Sequence, residues 1–297
     1  STFFHTNTVS TALLYEVIAE HHLPIAKAIV ASSQAVYGEG KYGCGRCGEP
    51  QLIPGDRPDH QLSVGDWEIG CLRCGETMAP QWTDEGSVNP HSAYAISKYT
   101  QELVALNLGA RCGIATVCLR YSVVQGARQS FRNAYSGVLR IFTQRLLHGK
   151  PPLCYEDGGQ LRDYVSVRDV ARANLLVLED HRADAQVFNV GGNRRITVWD
   201  YARLIADRSG VDIAPLTPGL YRLGDTRHAF SDVRKLGGLG WKPEISIEEI
   251  VDEYLGWAER QPDFKDYTEE ADARMASWKV VRPVSRKQTE RVVLAAG

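Results

Sequence analysis

Long apolar runs are missing from this chain. Across 297 residues none approaches the roughly 18 to 20 needed to cross a bilayer, so a membrane-spanning helix is excluded as an organising feature. The first helical stretch, Thr11 to Glu20, carries Glu16 and Glu20 and is unlike a secretory leader. An excess of one charge is missing too: 34 Lys+Arg stand against 36 Asp+Glu, for a net charge of -2. No polycationic surface draws in nucleic acid or anionic lipid, so any phosphate must be met by local arginines. Internal repeats and low-complexity blocks are lacking. A composition of 43% hydrophobic and 24% charged residues excludes disorder, collagen and coiled coil as descriptions of the whole chain. The expectation is a cytoplasmic globular protein with neither a nucleic-acid nor a membrane partner.

Cysteine is present but unevenly placed. Seven is an odd number, and without a leader it argues against a secreted disulfide framework. Cys112, Cys118 and Cys154 lie singly in or beside apolar segments and read as small core residues. The other four form two Cys-x-x-Cys pairs, Cys44/Cys47 and Cys71/Cys74, separated by 23 residues. That is the spacing of a zinc ribbon, in which four thiolates close a tetrahedral site; disulfides or idle thiols are the alternatives. Gly43, Gly45, Gly48 and Gly75 supply the tight turns such knuckles need. Four protein ligands leave no open position, so the metal would be structural.

Periodicity predicts a helix over Thr6 to His22 and a buried strand over Ala26 to Ala31, running into the polar turn Ser32-Ser33-Gln34. From Gly38 to about Trp82 the texture turns to Gly, Pro, Asp and Cys, the mark of an insertion. Regular structure resumes at Asn89-Pro90, read as a cap with proline at the first helical position, and Gly109 and Gly113 close that helix. Ile114 to Leu119 and Val187 to Val190 are further buried strands. Helices are expected over Ser136 to His148, Val167 to Leu178, Val198 to Arg208 and Ile247 to Arg260. From Gln261 onward the chain is polar and loosely patterned, with no function assigned. Strands separated by helices imply a parallel α/β sheet.

Tyr94 and Lys98 stand one helical turn apart on one face. A neighbouring ammonium favours a phenolate, so such a tyrosine can act as a base near neutral pH. By itself the spacing also fits a solvated helix pair, and Tyr37/Lys41 repeats it among glycines. Context raises the first pair. Val30-Ala-Ser-Ser-Gln-Ala-Val-Tyr-Gly38, Pro90-His-Ser-Ala-Tyr-Ala-Ile-Ser-Lys98, Leu161-Arg-Asp-Tyr-Val-Ser-Val167 and Phe188-Asn-Val-Gly191 follow one another in the order found in extended short-chain dehydrogenase/reductases. The chain resembles their NAD-dependent sugar-nucleotide epimerase/dehydratase family. With the inserted ribbon and Tyr221-Arg-Leu-Gly-Asp-Thr-Arg-His228, it is similar to the zinc-ribbon-containing branch of dTDP-L-rhamnose 4-epimerase-like proteins.

The resemblance implies a Rossmann-type doubly wound parallel sheet, a smaller C-terminal α+β substrate domain and the ribbon as an insertion. The nucleotide-binding domain would span residues 1–125, with the ribbon at 39–82, and resume at 161–197. The substrate-binding domain would take 126–160 and 198–260, leaving 261–297 as a tail. Tyr94 would be the base, Lys98 would hold the nicotinamide ribose, and Ser33 would bridge to the sugar 4-hydroxyl. Tyr121 would join Tyr94 and Lys98 in binding NAD. Arg162 and Arg222 would grip a diphosphate, with Asn133 and Asp225 on the nucleotide, and Cys44, Cys47, Cys71 and Cys74 would hold zinc. The ribbon would lie beside the active-site mouth as a lid or a dimer contact, in a homodimeric enzyme of carbohydrate biosynthesis.

Three departures qualify the implied reaction, C4 epimerisation of a dTDP- or UDP-sugar. No Gly-x-x-Gly-x-x-Gly follows a first strand, and the resemblance implies roughly 60 to 90 residues of β-α units ahead of Ser1. A chain complete as given would be a non-catalytic binding remnant. Val123 and Gln125 stand where the family has Asn and Tyr, and Ser10 where it has Gly. A dehydratase would carry an Asp-Glu pair just after the serine position, where this chain has Gln34-Ala35. A 4,6-dehydratase or a 4-keto reductase is therefore the runner-up.

Overall fold

The computed structural model describes residues 2–132, 137–262 and 264–285. Its main sheet has three parallel strands, β1 (Lys27–Ser33), β5 (Ala115–Tyr121) and β9 (Val187–Val190), in the order β1-β5-β9. Ser33 lies opposite Tyr121, and Tyr121 opposite Val190, so the three C-terminal ends form one rim. β5 is central and buried on both faces, as parallel strands are. Its Cys118 packs with Tyr15 and Ile18 of α1 (Ser10–Glu20) and Ala105 of α3 (Ala93–Cys112). Val117 and Leu119 point the other way, onto Val170, Ala173 and Val177 of α5 (Val167–Glu179) and onto Trp241. Full burial of each such side chain stabilises by about 1.5 to 3 kcal/mol.

The insertion folds as a three-stranded antiparallel sheet, β3-β2-β4, from β2 (Lys41–Cys44), β3 (Glu49–Leu52) and β4 (Ala79–Gln81), with one helical turn, α2 (Asp59–Leu62). Tyr42, Ile69 and Met78 pack with the cysteines as its core. Gly48 and Gly75 follow their knuckles with φ of +65° and +76°, where a Cβ would be strained.

The rest of the chain builds a second lobe. Short strands β6 (Val123–Gln125), β7 (Leu161–Arg162), β8 (Tyr164–Ser166) and β10 (Ile196–Thr197) form two small two-stranded sheets of their own, β6-β8 and β10-β7. α4 (Val138–Leu147), α6 (Val198–Ser209) and α8 (Ile247–Ala258) close around Tyr164, Tyr201 and Tyr254. A strand β11 (Leu220–Arg222) and a turn of helix, α7 (Arg234–Gly237), precede α8.

Three expectations need correcting. Cys112, at the C-terminal end of α3, is exposed and not a core residue, whereas Cys118 and Cys154 are fully buried. The α3 cap is Ser92, not Asn89: the Ser92 hydroxyl accepts from the Ala95 N–H at 3.1 Å, while the Asn89 amide donates to Pro54 O at 3.2 Å. Asn89-Pro90 thus belongs to the seam between ribbon and sheet. The segment after Gln261 is also structured. It forms α9 (Thr268–Ser277) and β12 (Val281–Pro283), which pairs antiparallel with β11.

Candidate active site

Buried polar contacts fix α3 on the sheet. Glu102 of α3 accepts from both Nε and Nη2 of Arg120 on β5, at 2.9 and 2.6 Å, and from the Ser32 hydroxyl of β1. Arg120 and Glu102 are each about 3% exposed or less, and truncating one partner of such a pair costs about 3 to 5 kcal/mol. On the α1 side the Asn7 amide donates to the Ser97 hydroxyl at 2.9 Å. Lys98 Nζ donates to Ala31 O at 2.8 Å and to Gln101 Oε1 at 3.0 Å. Burial holds the Lys98 ammonium below its ordinary pKa, with Glu102 opposing. The N-terminal half of α3, which carries Tyr94 one turn before Lys98, is thereby tied to the end of β1 at Ala31, two residues before Ser33. Tyr94, Lys98 and Ser33 are all half-buried, and the Tyr94 ring packs edge-on against Phe3.

The second Tyr-x-x-x-Lys pair is committed elsewhere. The Tyr37 hydroxyl donates to Asn189 at 2.5 Å and accepts from Arg120 at 3.1 Å, and burial pushes its pKa far up. Lys41 is paired with Asp84.

At the rim, the Ser33 hydroxyl accepts from the Ala35 N–H at 3.1 Å, capping a short turn. The Tyr121 hydroxyl donates to Asn174 of α5 at 3.0 Å. Beyond β9, Gly191 and Gly192 pass over Asp163 and Tyr164 so closely that a Cβ would lie 2.2 Å from an Asp163 oxygen or 2.0 Å from Tyr164 O. Asp163 is fully buried, accepts from the Ser122 hydroxyl at 3.0 Å, and is pushed up to about 7 by desolvation.

A cavity of about 250 Å³ opens between the second lobe and the tail. Arg162, Arg222 and Asp225 all line it, together with Tyr155, Asp272 and Met275. Arg222 holds Asp225 at 3.0 Å. Burial works against ionised Asp225, but the Arg222 and Arg162 cations keep its carboxyl below the ordinary range. Arg162 donates to Thr226 O at 2.7 Å and Arg227 O at 3.0 Å, so it orders the loop as well as facing the cavity. Asn133 lies outside the described residues. Val123, at a position of family departure, lines the cavity with an apolar side chain, whereas Gln125 is buried away from its lining.

In the ribbon the sulfurs of Cys44, Cys47, Cys71 and Cys74 all lie within 4.8 Å of one another. Cys44 and Cys74 are 3.6 Å apart, Cys47 and Cys71 3.8 Å, far too long for disulfides. Backbone N–H groups of Arg73 and Cys74 bring the Cys71 thiol down to about 6.

Residues 75–191 match the model of the NAD dependent epimerase/dehydratase family. The dTDP-L-rhamnose 4-epimerase of Burkholderia thailandensis is 33% identical over 263 residues, 88% of this chain and 70% of the relative. The chain belongs to the NAD-dependent epimerase/dehydratase family. A putative UDP-glucose 4-epimerase of Methanocaldococcus jannaschii is 33% identical over 173 residues, 57% of this chain and 54% of the relative. Among solved structures, a UDP-glucose 4-epimerase from Thermotoga maritima, crystallised with UDP-glucose, is 28% identical with a TM-score of 0.66, covering 86% of this chain and 70% of that one. The chain thus spans 70% of the first relative and about half of the second.

Within this family frame, sequence reasoning found the Tyr94 helix, the cysteine ribbon and the cavity arginines. It missed Asp163, although Leu161-Arg-Asp-Tyr164 was in view, because a buried carboxylate needs the double glycine folded over it to be recognised. It also missed Asp272 and Met275 of the tail. The signal available there was the acidic first turn, Glu269-Glu270, of an otherwise undistinguished helix.

Proposed function

We propose that the chain catalyses NAD-dependent epimerisation at C4 of a nucleotide-linked sugar, of the dTDP- or UDP-sugar class, through a transient 4-keto intermediate. The observation that supports this reading is the hydrogen bond from Lys98 to Ala31 O, which ties the helix bearing Tyr94 to the strand bearing Ser33. Tyr94 in its phenolate form takes the proton from the sugar 4-hydroxyl as hydride leaves C4, and the neighbouring Lys98 ammonium favours that anionic form of the base. Ser33 bridges to the same hydroxyl, since a serine both donates and accepts. Two of the three Lys98 N–H groups are used by Ala31 and Gln101, leaving the third for a nicotinamide ribose hydroxyl. Tyr121, level with Ser33 on the rim, completes this side.

NAD, when bound, supplies the acceptor that takes hydride from C4 and returns it, so net redox is zero. Arg162 and Arg222 meet the diphosphate as paired donors, and Asp225 and Asn133 meet the nucleotide. Residues 1–125 and 161–197 carry the cofactor side, with Ser33, Tyr94 and Arg162 reaching across to the substrate, while 126–160 and 198–260 serve the substrate, with the tail added to the cavity wall. Gln34-Ala35, in place of an acid-base pair, favours epimerisation over dehydration.

The four thiolates hold a structural zinc. Bonds of about 2.3 Å in a tetrahedron give sulfur-sulfur edges of about 3.8 Å, which supports this assignment beside the separations of 3.6 and 3.8 Å. The enzyme works in the cytoplasm. All seven cysteines are unpaired, in keeping with a reducing compartment, and no helix among the described residues is long and apolar enough to cross a membrane. It acts as a homodimer through the exposed stripes Val9-Leu13-Val17 before and along α1 and Ile96-Leu103 on α3; light scattering at the mass of one chain would refute that.

The test of the reaction is incubation with NAD and dTDP- or UDP-sugars, followed by NMR of the products. A C4 isomer is expected. A 4-keto-6-deoxy sugar would establish the dehydratase, and oxidation of NADH in a parallel incubation with a 4-keto nucleotide sugar would establish the reductase.

A further inference from the structure

The ribbon reads at first as a lid, yet its polar side chains are buried against the loop that carries the cavity residues. Arg57, between β3 and α2, is 2% exposed. It donates to both oxygens of Glu156 at 2.8 and 3.0 Å, to Glu39 at 3.3 Å, and to the backbone oxygen of Asp225 at 2.8 Å. Arg227 is 3% exposed and answers from the other side. Its guanidinium reaches Glu68 of the ribbon at 2.6 Å and Glu156 at 3.0 Å, and its backbone N–H donates to Glu39 at 2.7 Å. At the start of the loop the Tyr221 hydroxyl donates to Asp59 at 2.7 Å. The ribbon thus grips loop 221–228 at its beginning, at Asp225 and at Arg227, while Arg222 and Asp225 face the cavity between those holds.

We propose that the cysteine ribbon is a clamp that positions the diphosphate-facing loop 221–228, with Arg57 as its central positioning residue. The ligand assigned to that loop rests on the nucleotide-sugar reading above. A buried, bidentate guanidinium-carboxylate junction suits this role because it fixes direction as well as distance. Its groups are also too costly to leave unpaired for the loop to be released easily. The ribbon's own fold is therefore coupled to substrate affinity without any ribbon residue touching the sugar.

The test compares hydrogen exchange and nucleotide binding in the full chain and its Arg57→Gln and Tyr221→Phe variants. The clamp predicts that amides in 221–228 exchange about tenfold faster or more in Arg57→Gln, while Val117 to Leu119 stay protected. Affinity for UDP and dTDP falls about tenfold or more, and KM rises while kcat changes less than about threefold. Bound UDP or dTDP in turn slows exchange in residues 39–82 of the unmodified chain, as linkage requires. Should Arg57→Gln lose protection in the main sheet as well, Tyr221→Phe decides, since it removes one hydrogen bond and leaves the buried charges paired. Unchanged loop protection in the folded variants overturns the clamp. So does a loosened loop that binds UDP and dTDP as tightly as before. Failure of the unmodified chain to bind either nucleotide overturns the site reading and with it the ligand named here, and is told apart because it precedes any substitution.

Discussion

A tyrosine serves as a base only where its proton can leave, and that criterion separates Tyr94 from Tyr37. Tyr37 is 3% exposed and engaged at both its donor and its acceptor side, whereas Tyr94 is half-buried beside a lysine that is itself tied down. Tyr94→Phe is expected to lower turnover by about 10² to 10⁴ while leaving thermal unfolding unchanged. Tyr37→Phe is expected to do the reverse, losing about 1 to 3 kcal/mol of stability by leaving Asn189 and Arg120 short of a partner. A Tyr94→Phe enzyme that turns over normally would remove the proposed base. Asp163 gives a second prediction at this scale. Its pKa is raised to about 7 by desolvation, so below the unfolded value near 4 both states are protonated and its contribution is complete. Between about 4 and 7 the unfolded state ionises first, and that contribution is lost as pH rises. Asp163→Asn should therefore stabilise the protein more at pH 7.5 than at pH 4.5, by about a few kcal/mol in urea titrations. An equal effect at both pH values would contradict the assigned shift. The Tyr94 pair was legible in the sequence because it is local. Asp163 was not, because burial is a property of the fold that covers it.

Elements differ in how much of their structure is local. The cysteine cluster was legible because two tight Cys-x-x-Cys knuckles leave a spacing that few other structures need. One zinc per chain is expected by native mass spectrometry, and Cys71→Ser should lose it along with most of the exchange protection in β2 and β4. A metal-free chain with the ribbon still protected would mean that the apolar cluster of Tyr42, Ile69 and Met78 suffices. The tail was illegible for the opposite reason. Its strand Val281–Pro283 pairs with Leu220–Arg222, about 60 residues earlier, and α9 is held by Lys150 on Glu269 and Arg145 on Asp272. None of those partners can be read from a polar stretch alone. The misplaced α3 cap has a similar origin: Pro90 suited a first helical turn, but Asn89 was needed by Pro54 of the ribbon.

For the molecule as a whole, buried strands between helices were sufficient to predict a parallel α/β sheet, and the order β1-β5-β9 places Ser33 and Tyr121 on one rim. What the strand pattern did not convey is how the ribbon and the second lobe join across Arg57, Glu156 and Arg227, because ion networks form between segments far apart in the chain. The account depends on hydride leaving and returning to one carbon, and isotope tracing tests that most directly. A dTDP- or UDP-sugar deuterated at C4 is incubated with the protein and NAD in ordinary water, and the products are read by NMR. The predicted product is the C4 isomer with deuterium still on C4. An isomer that has exchanged its label for solvent hydrogen, or a keto product with deuterium moved to C6, would contradict the mechanism.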